Sequence, residues 1–220
     1  PQLRFQSPEL SMSIALCRKM LGQGDEGGDS YGLIGHWKLD DGSGTRATDS
    51  ATYGMHGDIL AGATNIPPAV WVDGEIGGAL KGGNYTVYVP PCGLLNIGKA
   101  GADFSVALWV NWESGGSWCN LFSKAWYLNP SEALMLEVHP EGTLRYTLAT
   151  TSPKYETGMT KARIGRKKWT HVALVKAGLE VKVFIDGKLE LRDTLKAPVV
   201  QNGQRVTFGN GPGTLSLDDV

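Results

Sequence analysis

Apolar and polar positions alternate with a period near two from Tyr31 onward, in short runs interrupted by glycine, proline, asparagine and aspartate. Side chains that alternate between two faces in this way read as strands of a partly buried sheet. The predicted strands are the runs at 31–39, 84–90, 103–112, 133–139, 144–150, 168–177, 179–186, 188–194 and 204–210. In the run at 168–177, Trp169, His171, Ala173 and Val175 share one face while Thr170, Val172 and Leu174 share the other. Apolar groups on both faces predict a central strand covered on both sides.

Turn chemistry links these runs. Pro140 and Gly142 stand in "HPEG", Asp186 and Gly187 form the two-residue centre of "IDGK", and "KAGLE" at 176–180 closes a third hairpin. Together they predict an antiparallel meander. There is no strand–helix–strand spacing and no long helical pattern here. The economical architecture is therefore all-β, two antiparallel sheets packed as a sandwich, because each sheet must bury a face against another layer.

The first thirty residues follow a different period. Ser7 can cap a helix with Pro8 at its first position, Leu10, Ile14, Cys17 and Leu21 recur at helical spacing, and Gly22 with Gly24 would end it. The expected division is a short N-terminal helical appendage with a linker at 1–30, then one β-domain at 31–220.

Composition narrows the classes. Hydrophobic residues make up 41% and charged residues 20% of 220, which suits a folded chain, and 30 scattered glycines fit many tight turns. The formal net charge of −1 supplies no global positive field for nucleic acid or an anionic membrane, so neither partner is expected. The one basic run, "KARIGRKK" at 161–168, reads as a solvated loop. No apolar run approaches the ~20 residues that span a bilayer, so direct membrane insertion is not expected. Cys17, Cys92 and Cys119 are far apart and odd in number, which excludes a disulfide-stapled scaffold and leaves a Cys92–Cys119 pair open. A start at "PQLRF" and an end at "LSLDDV" read as a fragment or processed form.

Several blocks in order carry a family resemblance: "GHWKLDDGSGTRATDSATYGMHGDI" at 35–59, "GEIGGAL" at 74–80, "YTVYVP" at 85–90, "DFSVALWVNW" at 103–112, "LFSK" at 121–124, "KKWTHVALVKAGLEVKVFIDGKL" at 167–189, "VTFGN" at 206–210 and "LSLDDV" at 215–220. In these the chain resembles the LamG-like jelly-roll domains of the concanavalin A-like lectin/glucanase superfamily. The resemblance implies a jelly-roll sandwich, in most members a non-catalytic module of a secreted or surface protein, often with calcium near the first turn. The family commonly continues past the late aspartate pair with a further strand. Its absence predicts an exposed sheet edge and a domain truncated at its C-terminal end.

Two sets of candidate residues follow. Calcium takes six to eight oxygens, which acidic, glycine-rich loops can supply. The resemblance maps its ligands onto Asp40 or Asp49 in the first loop and onto Asp218 or Asp219 at the far end. Only one of the late pair should point inward from a strand. Thr52, Tyr53 and Gly54 replace the common Gly-Asn-Gly of that loop, removing an asparagine oxygen. The same aspartates equally fit an Asx-turn network accepting backbone N–H groups. For a glycan, Trp118, Trp126 and Tyr127 fall in an irregular stretch where aromatic rings could stack on sugar, and His56 lies in the acidic loop where it could frame the turn or touch a ligand. Trp37, Trp109 and Trp169 read as core, and His36 and His171 as core or cross-strand positions.

Catalytic patterns do not match. Glu137 and His139 share a strand face but Glu141 falls in the turn, which breaks the alternating carboxylates of the related glucanases; no GxSxG elbow, zinc-type histidine spacing or phosphate-binding loop occurs. The expected function is a non-enzymatic, lectin-like module of an extracellular or cell-envelope protein, binding glycan or an extracellular protein ligand. The alternatives are a purely structural or protein-interaction domain and an accessory domain of a glycoside hydrolase.

Overall fold

Strand-forming alternation becomes two opposed sheets in the computed structural model, which describes residues 32–61, 69–82, 85–95, 102–125, 134–200, 203–211 and 213–220. The strands are β1 (Arg46–Ala47), β2 (Gly57–Ala61), β3 (Val70–Asp73), β4 (Gly78–Lys81), β5 (Tyr85–Val89), β6 (Phe104–Ser114), β7 (Cys119–Lys124) and β8 (Leu134–Val138). They continue as β9 (Thr143–Ala149), β10 (Tyr155–Arg163), β11 (Trp169–Ala177), β12 (Glu180–Ile185), β13 (Lys188–Thr194), β14 (Val206–Asn210) and β15 (Thr214–Asp218). One sheet has the order β1-β2-β5-β14-β7-β8-β9-β10 and the other β13-β12-β11-β6-β15-β4-β3. A short 3₁₀ turn spans Gly93–Leu95. The expected appendage helix lies outside the described residues.

The core forms where the inner faces meet. Along β6, Phe104, Val106, Leu108, Val110 and Trp112 are buried while the residues between them are partly exposed, a period-two pattern carried through its full length. Opposite them stand Leu121, Leu136, Leu144, Leu148 and Phe208 from the other sheet, all in the same apolar cluster. β11 lies between β12 and β6, as its two-faced apolar pattern requires. Its Val172 and Leu174 enter the main core, while Ala173 and Val175 form a second cluster with Phe184 on the outer face. The three predicted hairpins are present, with Asp186 and Gly187 both at positive φ (47° and 75°) in the β12–β13 turn.

Three expectations need correction, and the Cys92–Cys119 pairing left open by the sequence is decided. The described part of the run at 31–39 forms no strand: Leu39 has φ 60°, and Trp37 contributes a single bridge, to Asp49. The basic run begins inside β10, so Lys161, Ala162 and Arg163 are strand residues and only the remainder is loop and turn. Trp109 and Trp169 are only partly buried, and Trp109 packs against His171 at 5.3 Å on the outer face. Cys92 and Cys119 are both free thiols.

Candidate functional site

β14 and β15 follow one another in sequence yet lie in opposite sheets, and β15 brings the late aspartates between β6 and β4. The pair divides as strand geometry demands. Asp218 is the inward member, with no exposed surface, whereas Asp219 turns away at φ 49° and lies 2.6 Å from His36 Nε2.

The β3–β4 hairpin supplies the other wall. Its loop, residues 74–78, is "GEIGG", and it closes on two carboxylates at once. The Ile76 N–H donates to Asp218 Oδ2 at 2.8 Å, and the Gly78 N–H donates to Asp40 Oδ1. Glycine is needed at two places. A Cβ on Gly74 would stand 2.6 Å from Asp218 Oδ2, and one on Gly77, itself at φ 81°, would stand 2.6 Å from Asp40 Oδ1. Asp40 and Asp218, 178 positions apart in sequence, are thus gathered on one five-residue loop.

The electrostatics of this corner are unusual. Asp218 Oδ1 is buried with no hydrogen-bond partner among the described residues. Burial pushes the Asp218 carboxyl up to about 7, the Asp219 and Asp40 charges add to the rise, and N–H bonds from Ile76 and Glu75 oppose it. A buried oxygen that accepts nothing costs free energy unless a proton or a cation complements it.

Asp49 sits in a different arrangement. Its Oδ1 accepts the N–H groups of His36 (2.8 Å) and Ala51 (2.9 Å), and its Oδ2 accepts that of Met55 (2.7 Å). The Asp49 N–H in turn donates to His56 Nδ1 at 3.1 Å. These contacts stitch the 49–56 turn to the segment before it. Asp49→Ala is expected to lower unfolding free energy by about 2 kcal/mol, since it strands three donors, while leaving the calcium response of melting intact. Loss of that response with unchanged stability would instead make Asp49 a ligand rather than a turn residue. Among the described residues, no three His, Cys, Asp or Glu side chains form a metal-binding group, so oxygens from the main chain would have to complete any coordination shell.

Trp118 precedes β7 and is half-buried. The Arg145 guanidinium lies 3.6 Å from its ring centroid, and His139 meets it edge-on at 4.5 Å. Arg145 is held by Glu137, whose Oε2 accepts from Nε at 3.0 Å and Nη2 at 2.8 Å. Glu137 and His139 therefore serve to position Arg145 and Trp118. Trp126 and Tyr127 lie outside the described residues.

The 74–78 loop was missed as a functional element when the sequence alone was read. Its signal was three glycines in five residues beside two short strands, too brief to stand out.

Known proteins give the fold a place. The domain 4 structure of AbnA, a GH43 extracellular arabinanase from Geobacillus stearothermophilus, in complex with arabinotriose, is 21% identical, with a TM-score of 0.60 over 84% of this chain and 91% of that one. The receptor binding domain of botulinum neurotoxin mosaic serotype C/D aligns at 12% identity and a TM-score of 0.63 over 84% of this chain. A botulinum neurotoxin type C structure, described by cell entry dependent upon interaction with two ganglioside molecules, aligns at 16% and 0.59 over 82%. This chain spans 46% and 47% of those two toxin chains. No curated protein sequence matches. The family profile of laminin G type matches residues 81–219, well over half of the chain, and by that match the chain belongs to the concanavalin A-like lectin/glucanases superfamily.

Proposed function

We propose that the chain is a non-catalytic, extracellular binding module that recognises glycan, with a structural calcium ion at the corner where Asp40 and Asp218 meet the 74–78 loop. The observation that carries the binding reading is the alignment, over 84% of this chain and 91% of the other, with an arabinanase domain held in complex with arabinotriose. The toxin domains, one tied to gangliosides, share the same sandwich. Carboxylates that could serve catalysis are otherwise engaged: Glu137 binds Arg145, and Glu141 lies on the exposed turn paired with Arg163.

The calcium reading rests on the unpartnered Asp218 Oδ1 and on the oxygen-only character of the corner. Asp40 and Asp218 would provide charge and the hairpin loop backbone carbonyls. Bound there, calcium would fix the loop and neutralise a costly buried carboxylate. Asp219 follows Asp218 directly and bonds His36, while Asp49 and His56 organise the separate 49–56 turn. No step of recognition requires the ion to touch sugar.

Trp118 is the proposed stacking residue among those described, with Arg145 stiffening its ring. Trp118→Ala is expected to weaken retention on an immobilised glycan by about tenfold, the scale of one aromatic contact at a binding site, with the melting temperature nearly unchanged. Normal retention would move the platform away from Trp118.

A further inference from the structure

At one side of the sandwich, the edge strand β10 of the eight-stranded sheet passes the edge strand β13 of the seven-stranded sheet. A shallow cleft of about 380 Å³, wide open to solvent, lies there, with Tyr146, Tyr155, Glu156, Thr157, Asp193 and Lys196 among its lining residues. That size lies within the usual range for small-molecule clefts. Strands from both sheets build it, so its polar groups are held by rigid elements.

Gly158 makes the arrangement possible. It faces Tyr146 across the β9–β10 ladder, and a Cβ there would stand 2.2 Å from Asp193 Oδ2 and 2.5 Å from Tyr146 Cε1. Without that Cβ, Asp193 reaches across from β13 and its Oδ2 accepts the hydroxyl of the buried Tyr146 at 2.8 Å. Glu156 Oε1 accepts the Lys196 N–H, also at 2.8 Å. Each carboxylate is fixed through one oxygen. Asp193 Oδ1 and Glu156 Oε2 accept no hydrogen bond among the described residues. Tyr155, at the same cleft, is 44% exposed.

We propose that this β10–β13 cleft is a binding site for a neutral pentose or hexose oligosaccharide, whose hydroxyls donate to Asp193 Oδ1 and Glu156 Oε2 while a ring face lies on Tyr155. A backbone N–H, a phenol and a threonine hydroxyl beside two carboxylates suit hydroxyl groups, which both donate and accept, better than a bare cation. The raised pKa of Tyr146, caused first by burial and then by Asp193 and Glu156, agrees with a phenol that stays protonated and keeps Asp193 in place. The inference rests on the reading of the chain as a glycan-binding module, and it locates a site apart from Trp118.

The test is a microarray of neutral and anionic oligosaccharides probed with the whole chain, followed by titration of the best neutral hit into wild type, Tyr155→Ala, Glu156→Gln, Asp193→Asn and Trp118→Ala. About tenfold weaker binding in Tyr155→Ala and Glu156→Gln supports the cleft, whatever loss Trp118→Ala causes at its own platform. Both replace side chains at the open edge, so their melting temperatures should match wild type even if Asp193→Asn loosens Tyr146. Unchanged affinity in all three cleft variants overturns the site while leaving the module a glycan binder. Binding only to anionic glycans overturns the proposed ligand class. Absence of binding to every glycan overturns both readings.

Discussion

Asp218→Asn is expected to abolish the calcium-dependent rise in melting temperature and to flatten the pH dependence of stability in EDTA. The sign follows from the raised pKa of the Asp218 carboxyl. With the folded value near 7 and an unfolded value near the ordinary ~3.9, the native chain holds a proton that the unfolded chain has already lost between those limits. Stability in EDTA therefore falls as pH rises from about 4 through about 7, and then levels off. Each unit is worth about 1.4 kcal/mol, so the wild-type loss amounts to several kcal/mol at most.

Calcium acts on the other side of this equilibrium. It requires the ionised carboxylate, so it should remove the fall and give its largest gain at pH 7 or above, with the proton competing at pH 5. At a hundredfold excess over its Kd, the gain is about 2.7 kcal/mol. Asp40→Asn should weaken this gain without flattening the pH profile, because Asp40 is exposed and only adds to the field at Asp218. A wild-type melting temperature that ignores both calcium and pH between 5 and 8 would remove the ion from this corner.

Trp37→Ala is expected to cost about 3–5 kcal/mol, the range for deleting a buried aromatic side chain, read as a lower urea midpoint. Trp37 is 3% exposed, packs on Phe208 at 5.4 Å between ring centroids, and donates from Nε1 to the Met55 carbonyl at 2.9 Å. Its ring also covers Gly35, where a Cβ would lie 2.4 Å from the ring. The backbone of Trp37 exchanges hydrogen bonds with Val220 at 2.8 and 2.9 Å, which anchors the segment following Asp218. Trp37→Phe keeps a ring on Phe208 but loses the Met55 bond, and should cost less. Equal losses for the two variants would show that the hydrogen bond, and not the packing, holds this residue.

Period-two alternation recovered most long strands because burial of one face is written directly into their residues. β6 shows this along nearly its whole length, whereas β11 carries apolar groups on both faces because it is covered on both. β10 escaped notice for the opposite reason: it is an edge strand with mostly exposed or half-exposed residues, so "YETGMTKAR" carries no apolar alternation. At 31–39 the apolar pattern was real, but among the described residues only Trp37 makes a ladder bridge, to Asp49, and Leu39 takes a left-handed conformation that ends the run.

The candidate corner was legible in part. Aspartates in a glycine-rich loop and a late acidic pair were visible, and strand parity required one of the pair to face inward. That Asp218 is the inward one depends on the register of β15 against β6, and its meeting with Asp40 depends on a hairpin loop remote from both. Such contacts are tertiary and have no local pattern. The β10–β13 cleft was wholly hidden, since it joins two edge strands from different sheets through a glycine with no side chain to announce it.

The most direct measurement is retention of the wild-type chain on a glycan array at neutral pH in calcium, with its folded state verified by melting in the same buffer. Saturable retention on a defined set of oligosaccharides, competed by the same sugars in solution, is the predicted result. A folded, calcium-saturated chain that binds no glycan would contradict the account and favour a protein-interaction scaffold.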